Sequence, residues 1–232
     1  ERWKPLENQF GIFPMIIGSI YVTAGAVLVG VPIGILCAVF LARFCPPRLH
    51  RLLKPAVDLL AGIPSIVYGF FGLVGIVPLV QSLFGGSGKG ILTASVLLGI
   101  MILPTIISVT EASIRAVPES YYEGALALGA TKERSVFCAL MPGARSGITA
   151  GVILGTGRAI GETMAVVMVA GNAAVMPDGL LSGVRTLPAN IVLEMGYAAD
   201  LHREALIATA VVLFVFILII NLMFSLLKRK EG

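Results

Sequence analysis

The chain has 232 residues, of which 57% are hydrophobic and 13% charged, with a formal charge of +4 and a mean hydropathy of +0.95. So much apolar surface cannot be hidden in a water-soluble fold of this size, which excludes an ordinary soluble domain and predicts burial in a lipid bilayer. No basic run is interleaved with aromatics, so the excess charge is read as contact with anionic membrane lipid and not with nucleic acid.

The hydrocarbon core is about 30 Å thick and a helix rises about 1.5 Å per residue, so uncharged runs of roughly 20 residues can span it. In chain order such runs extend from Gly11 to Leu41, Leu59 to Phe84, Ile91 to Thr110, Gly147 to Gly171 and Ala205 to Leu227. Lipid offers no partner for free backbone groups, so all of them are predicted helical. The short alternating segments of a membrane barrel are absent. The expected fold is all-α, a polytopic transmembrane helix bundle forming one domain over residues 1–232.

Lys and Arg then set the orientation. Arg43, Arg48, Arg51 and Lys54 follow the first span, Arg115, Lys132, Arg134 and Arg145 the third, and Lys228, Arg229 and Lys230 the fifth. Arg2, Lys4, Lys89, Arg185 and Arg203 fall on the other side, and Arg158 lies inside the fourth span. The positive-inside bias puts the larger group and the C-terminus in the cytoplasm of a bacterial-type inner membrane. The chain opens at Glu1, without Met and on polar residues, so a further helix is expected upstream. Cys37, Cys45 and Cys138 have no metal-type spacing and suggest no disulfide framework. His50 and His202 fall on opposite sides of the membrane, which argues against a histidine-based catalytic site and a metal site alike.

Residues 115–145 are too polar to span and too rich in helix formers for a simple linker. Tyr121 to Leu128 reads as a short helix stopped by Gly129, and Thr131 to Met141 as a second, with Thr131 its N-cap and Pro142 its end. A sharp reversal between helices needs positive φ, which suits Gly129. With Ala125, Leu126, Leu128, Val136 and Phe137 as apolar material, such a pair fits a groove on another protein or the headgroup layer.

The spacing is more specific than the composition. Glu123-Gly124-Ala125, then Gly129, then Ala139-Leu140-Met141-Pro142 resembles the EAA loop of ABC importer membrane subunits, with Gly124 and Ala139 departing from the pattern and Met141 replacing Leu. The resemblance implies that Glu123, Ala125, Gly129, Thr131 and Pro142 lie where an ATP-hydrolysing subunit docks. The glycine-rich run Gly85–Gly90 fails as a P-loop, because Leu83 stands where its first Gly belongs and Gly90 where Ser or Thr must hold magnesium. No cofactor is therefore expected in this chain, which is read as a transport subunit and not an enzyme; ATP and magnesium would belong to the partner.

In span two Pro64 cannot donate a backbone hydrogen bond, so it breaks or kinks the helix. A helix restarted there would present free N–H groups to an anion, with Ser65 and Tyr68 nearby; a kink absorbed by neighbouring helices is the competing reading. In span four Arg158 and Glu162 are four apart and would share a helix face, with Thr163 beside them. Charges at membrane depth are costly and face a bundle interior or an aqueous path. One reading has Arg158 offering its fork of donors to an oxyanion while Glu162 holds the guanidinium between passages; the other is a static pair that fixes packing. Gly147, Gly151, Gly155 and Ala159 form a separate stripe for close helix approach.

The stretches Gly62-Ile63-Pro64-Ser65-Ile66-Val67-Tyr68-Gly69 and Arg158-Ala159-Ile160-Gly161-Glu162-Thr163-Met164-Ala165 resemble the C-subunit family of phosphate-specific transport (Pst) systems, permeases of the type I ABC importer (MetI-like) kind. The resemblance implies inorganic phosphate as solute, a heterodimer with a second homologous permease subunit, two ATPase subunits below, and an external phosphate-binding protein docking on residues 172–204. Another oxyanion or small polar solute, or a sensor that moves nothing, remain the alternatives.

Overall fold

A computed structural model describes residues 3–230, with side chains described to residue 223. Arg2 and the side chains of Lys228, Arg229 and Lys230, used above for orientation, lie outside the described residues. The chain is an all-α bundle apart from a hairpin of two short antiparallel strands, β1 (Trp3–Lys4) and β2 (Gln9–Phe10).

Helix α1 (Phe13–Val39) starts with Pro14 in its first turn, where a missing N–H costs nothing. A wide π turn, Phe40–Phe44, prolongs it. Helix α5 (Ile91–Ala116) is the axis of the bundle, burying Leu97, Leu98, Met101, Ile102 and Ile106 completely or nearly so. The two run parallel in close contact, and a Cβ at Gly30 would stand 2.8 Å from the Gly99 carbonyl oxygen. Helix α9 (Arg145–Gly161) runs antiparallel on another side of α5, bringing Gly151 against Thr110 and Gly155 against Ile106. The small-residue stripe packs as expected; without a hydrophobic drive between helices in lipid, such close approach is what holds them.

Span two departs from its expected limits. A polar helix, α2 (Pro47–Gly62), precedes it and climbs antiparallel along α5, with Leu53 and Val57 packed near Leu103 and Ile107. Its charges hid it from a hydropathy reading. The backbone breaks at Ile63–Pro64, and the apolar span begins at Ser65, as α3 (Ser65–Phe71), a π turn (Gly72–Ile76) and α4 (Val77–Phe84). Span four is broken as well: α9 stops at Gly161, Glu162 and Thr163 are non-helical, and α10 (Met164–Val169) restarts the helix.

At the basic end lie α6 (Glu119–Ala127), α7 (Lys132–Ser135), a π turn (Val136–Leu140) and α8 (Met141–Gly143). Gly129 has φ +84°, the reversal predicted for it. Pro142 does not end the second loop helix, as the sequence suggested. It sits in the first turn of α8, where proline is tolerated, and the chain bends only at Ala144, by 73°, into α9.

The opposite end is closed by β1–β2, the 85–90 turn, α11 (Leu187–Glu194) and the start of α12 (Asp200–Lys230). Here Glu194 accepts from Trp3 Nε1 at 2.8 Å, meets Arg185, and lies 2.8 Å from His202 Nε2. Four described helical stretches are long and apolar enough to cross a membrane outright. The bent pair Lys132–Gly143 and Arg145–Gly161, 73° apart, makes a fifth if it is counted as one span, so the apolar fourth run, Gly147 to Gly171, is not one straight crossing helix.

Candidate functional site

The two breaks meet. Helices α3 and α10 pack together, and a Cβ at Gly69 would come 2.9 Å from the Ala165 Cα and 2.8 Å from the Met168 sulfur. Gly155 faces Ile106 and Ile102 of α5, while Gly72 faces Leu97 and Val169. Arg158 and the 162–163 break therefore lie between these levels, near the middle of a helix that crosses from Ile91 to Ala116. Tyr68 is 6% exposed, and its hydroxyl donates to the Leu60 carbonyl at 2.8 Å, satisfying an end of α2 left open by Pro64.

Arg158 is half-buried on α9, less than two turns before the break. Among the described residues no ion pair or hydrogen bond engages its guanidinium. The glycines flanking it are open: a Cβ at Gly157 or Gly161 would meet nothing within 4 Å. An apolar cavity of roughly 280 Å³ touches α9 through Thr156 and Ile160, but it faces α1 and α12 and contains no charged group. It is unsuited to an anion.

The ion pair expected from the four-residue spacing is not formed. Glu162 has extended backbone, φ −70° and ψ 131°, because the helix has already ended. Its carboxylate instead accepts from the Ala165 N–H at 3.2 Å, capping the restarted helix that Thr163 leaves uncapped. Thr163 turns its hydroxyl to the Gly161 carbonyl, 3.2 Å away. Ser65 opens α3 half-buried, and its hydroxyl forms no hydrogen bond among the described residues. Arg158, Tyr68, Glu162, Thr163 and Ser65 are thus brought to one region, with roles different from a simple pair.

The loop residues are far from this region in the fold. Glu123, Gly129, Thr131 and Pro142 are exposed and Ala125 is half-buried. Thr131 caps α7, its hydroxyl accepting from the Arg134 N–H at 3.3 Å. Exposed Leu128, Phe137 and Tyr121 leave an apolar surface beside them.

Sequence reasoning missed a buried carboxylate at the basic end. Glu111 is 4% exposed and lies 2.7 Å from His50 Nε2, 3.0 Å from Arg115 Nε and 3.5 Å from Lys54 Nζ. The spacing of Glu111 and Arg115 was a legible helical pair, but closing the third span at Thr110 left Glu111 looking like a surface residue.

Residues 30–231 match the family "binding-protein-dependent transport system inner membrane component". A probable ABC transporter permease protein, YqgH of Bacillus subtilis, is 37% identical over 99% of this chain and 76% of its own length. Phosphate transport system permease proteins PstC are similar at 37% in Xylella fastidiosa, over 100% of this chain and 79% of theirs, and at 39% in Mesorhizobium japonicum, over 95% and 74%. In fold the chain is similar to an inward-facing MetNI methionine ABC transporter structure, with TM-score 0.75 and 20% identity over 99% of both chains. It is also similar to a bacterial alginate ABC transporter, with TM-score 0.69 and 14% identity over 94% of this chain and 78% of the other. With the family model matched from the middle of α1 into α12, the chain belongs to the binding-protein-dependent transport system inner membrane component family, as a multi-spanning permease subunit.

Proposed function

We propose that the chain is a transmembrane subunit of an ATP-driven importer, moving inorganic phosphate across the inner membrane. The observation that carries this reading is Arg158, a guanidinium near mid-depth with no ion-pair or hydrogen-bond partner among the described residues, beside two helix breaks and open space. An Arg at the centre of a bilayer costs about 2.5–3.5 kcal/mol on insertion scales, so its place is intelligible along an aqueous path that an anion shares. Its planar fork suits a tetrahedral oxyanion, donating two parallel hydrogen bonds. Ser65 and Tyr68 line the approach, and Glu162 with Thr163 shape the break. The names carried by the relatives above support phosphate among the oxyanions.

In this reading the basic end and the C-terminus are cytoplasmic. The 121–142 loop, with Glu123, Ala125, Gly129, Thr131 and Pro142, docks one of two ATPase subunits, which bind ATP and magnesium. A second permease subunit lies across the pathway, and a phosphate-binding protein meets residues 172–204 outside. The test is uptake of labelled phosphate by vesicles holding the assembled complex, with ATP on the loop side. Arg158→Ala is expected to abolish uptake while the ATPase still co-purifies; normal uptake would remove its role. Competition by sulfate or molybdate with phosphate inert would move the reading to another oxyanion.

A further inference from the structure

Helix α2 has two ends gripped by different parts of the molecule. At the basic end, Glu111 of α5 holds His50 and Lys54, while Lys54 also donates to Ser108 at 2.8 Å and meets Asp58 at 3.2 Å. At mid-depth, the last turn of α2 gives the Leu60 carbonyl to Tyr68 of α3, the helix that packs on α10 just across the break from Arg158. The grip at the basic end continues toward the loop. Arg115 links Glu111 to the Leu41 carbonyl at the end of α1, Arg43 of the same turn pairs with Glu119 at 2.8 Å, and Arg43 stacks over Tyr122 of α6.

Glu111 is too buried for a surface ornament. A carboxylate 5% exposed by its side chain is costly to hold unless cations surround it. One of its oxygens makes no hydrogen bond and has only the Lys54 ammonium, 3.5 Å off, so α2 is gripped tightly through His50, at 2.7 Å, and loosely through Lys54. Meanwhile α2 is attached to α3 through a non-helical break, and Gly62 there has no neighbour within 4 Å of a Cβ. A helix held by charges at one end and by a hinge at the other transmits displacement along its axis through its backbone hydrogen bonds, of which α2 lacks the one that Pro55 cannot donate.

We propose that Glu111 is a positioning residue that ties α2 to the cytoplasmic loop, so that movement of the loop shifts the hinge at 62–64 and the surroundings of Arg158. This rests on the loop being the ATPase dock. The competing account is a static clamp that only fixes α2 in place.

The experiment uses the assembled complex with Cys37, Cys45 and Cys138 replaced by serine and Gly62→Cys as a reporter. Its rate of labelling by a water-soluble maleimide is measured with and without ATP and vanadate. With Glu111 present the nucleotide is expected to change the rate by about five-fold or more; with Glu111→Gln the change falls below about two-fold while ATP hydrolysis continues. Equal nucleotide responses in both, or no response in the Glu111 parent, overturn the proposal. Should Glu111→Gln fail to assemble, Lys54→Gln carries the same measurement from the α2 side, with the same two outcomes. Labelling does not depend on the solute, so phosphate uptake by the parent complex judges the phosphate reading separately.

Discussion

Glu162 has two separable functions at its position, a hydrogen-bond acceptor for α10 and a negative charge near Arg158. Glu162→Gln keeps an acceptor for the Ala165 N–H, whereas Glu162→Ala removes it. The expected outcome is that Gln melts near the parent temperature in detergent and Ala loses about 1 kcal/mol, the usual worth of a helix cap. Equal losses would mean that the charge, not the cap, supports the fold. At the loop, the Glu133 carboxyl is held below the ordinary carboxylate range, first by its own backbone N–H and then by the Thr131 hydroxyl. A lowered native value makes its contribution complete above the unfolded-state pKa and lost as pH falls through the native one. The start of α7 therefore keeps its cap geometry at neutral pH and frays in acid. Amide exchange over 132–135, corrected for intrinsic rates, should keep its protection down to about pH 5 and lose it progressively below that in the parent and not in Glu133→Gln.

Among the elements, the contact between α3 and α10 is the one on which the site depends. A side chain at Gly69 would strike backbone at Ala165, which cannot rotate aside as the Met168 sulfur can. Gly69→Val is expected to cost about 1–3 kcal/mol by overpacking and to reduce uptake beyond what its loss of folded complex explains. Comparing uptake per assembled complex measures this; an unchanged ratio would show that the two breaks act separately. The elements also show what a sequence conceals. Pro64 announced its own break, since it lacks an N–H, but nothing comparable marks Glu162-Thr163. There Gly155, Gly157 and Gly161 weaken the helix, but none of them forbids a backbone hydrogen bond as proline does. Periodicity assumed through that point produced the Arg158–Glu162 pair that the structure replaces with a cap. Thr131 and Gly129, whose roles are local, were read correctly because capping and positive φ need no partner from elsewhere in the chain.

At the level of the molecule, hydropathy located the apolar crossings but not α2, whose His50 and Lys54 meet Glu111 from a distant part of the sequence. The opposite end has a similar hidden partnership. Trp3, Arg185 and His202 converge on Glu194 from separate segments, and the ring of Phe10 stacks on His202. Glu194→Ala leaves Arg185 mostly buried without its carboxylate, so a loss of about 3–5 kcal/mol is expected. Thermal melting with limited proteolysis would check it: the hairpin at residues 3–10 should become the first site cut. A melting point unchanged from the parent would show the cluster to be dispensable.

The interruption at Glu162-Thr163 has an electrical side. Peptide groups outside a helix at that depth must be wetted or covered by protein. Where they are wetted, the low-dielectric layer is reduced at that spot to the short stretch beyond the break, and the membrane voltage would fall mostly across it. In that case a single copy of this chain insulates poorly along α9, and keeping protons and metal ions from leaking falls to whatever surface lies opposite Arg158.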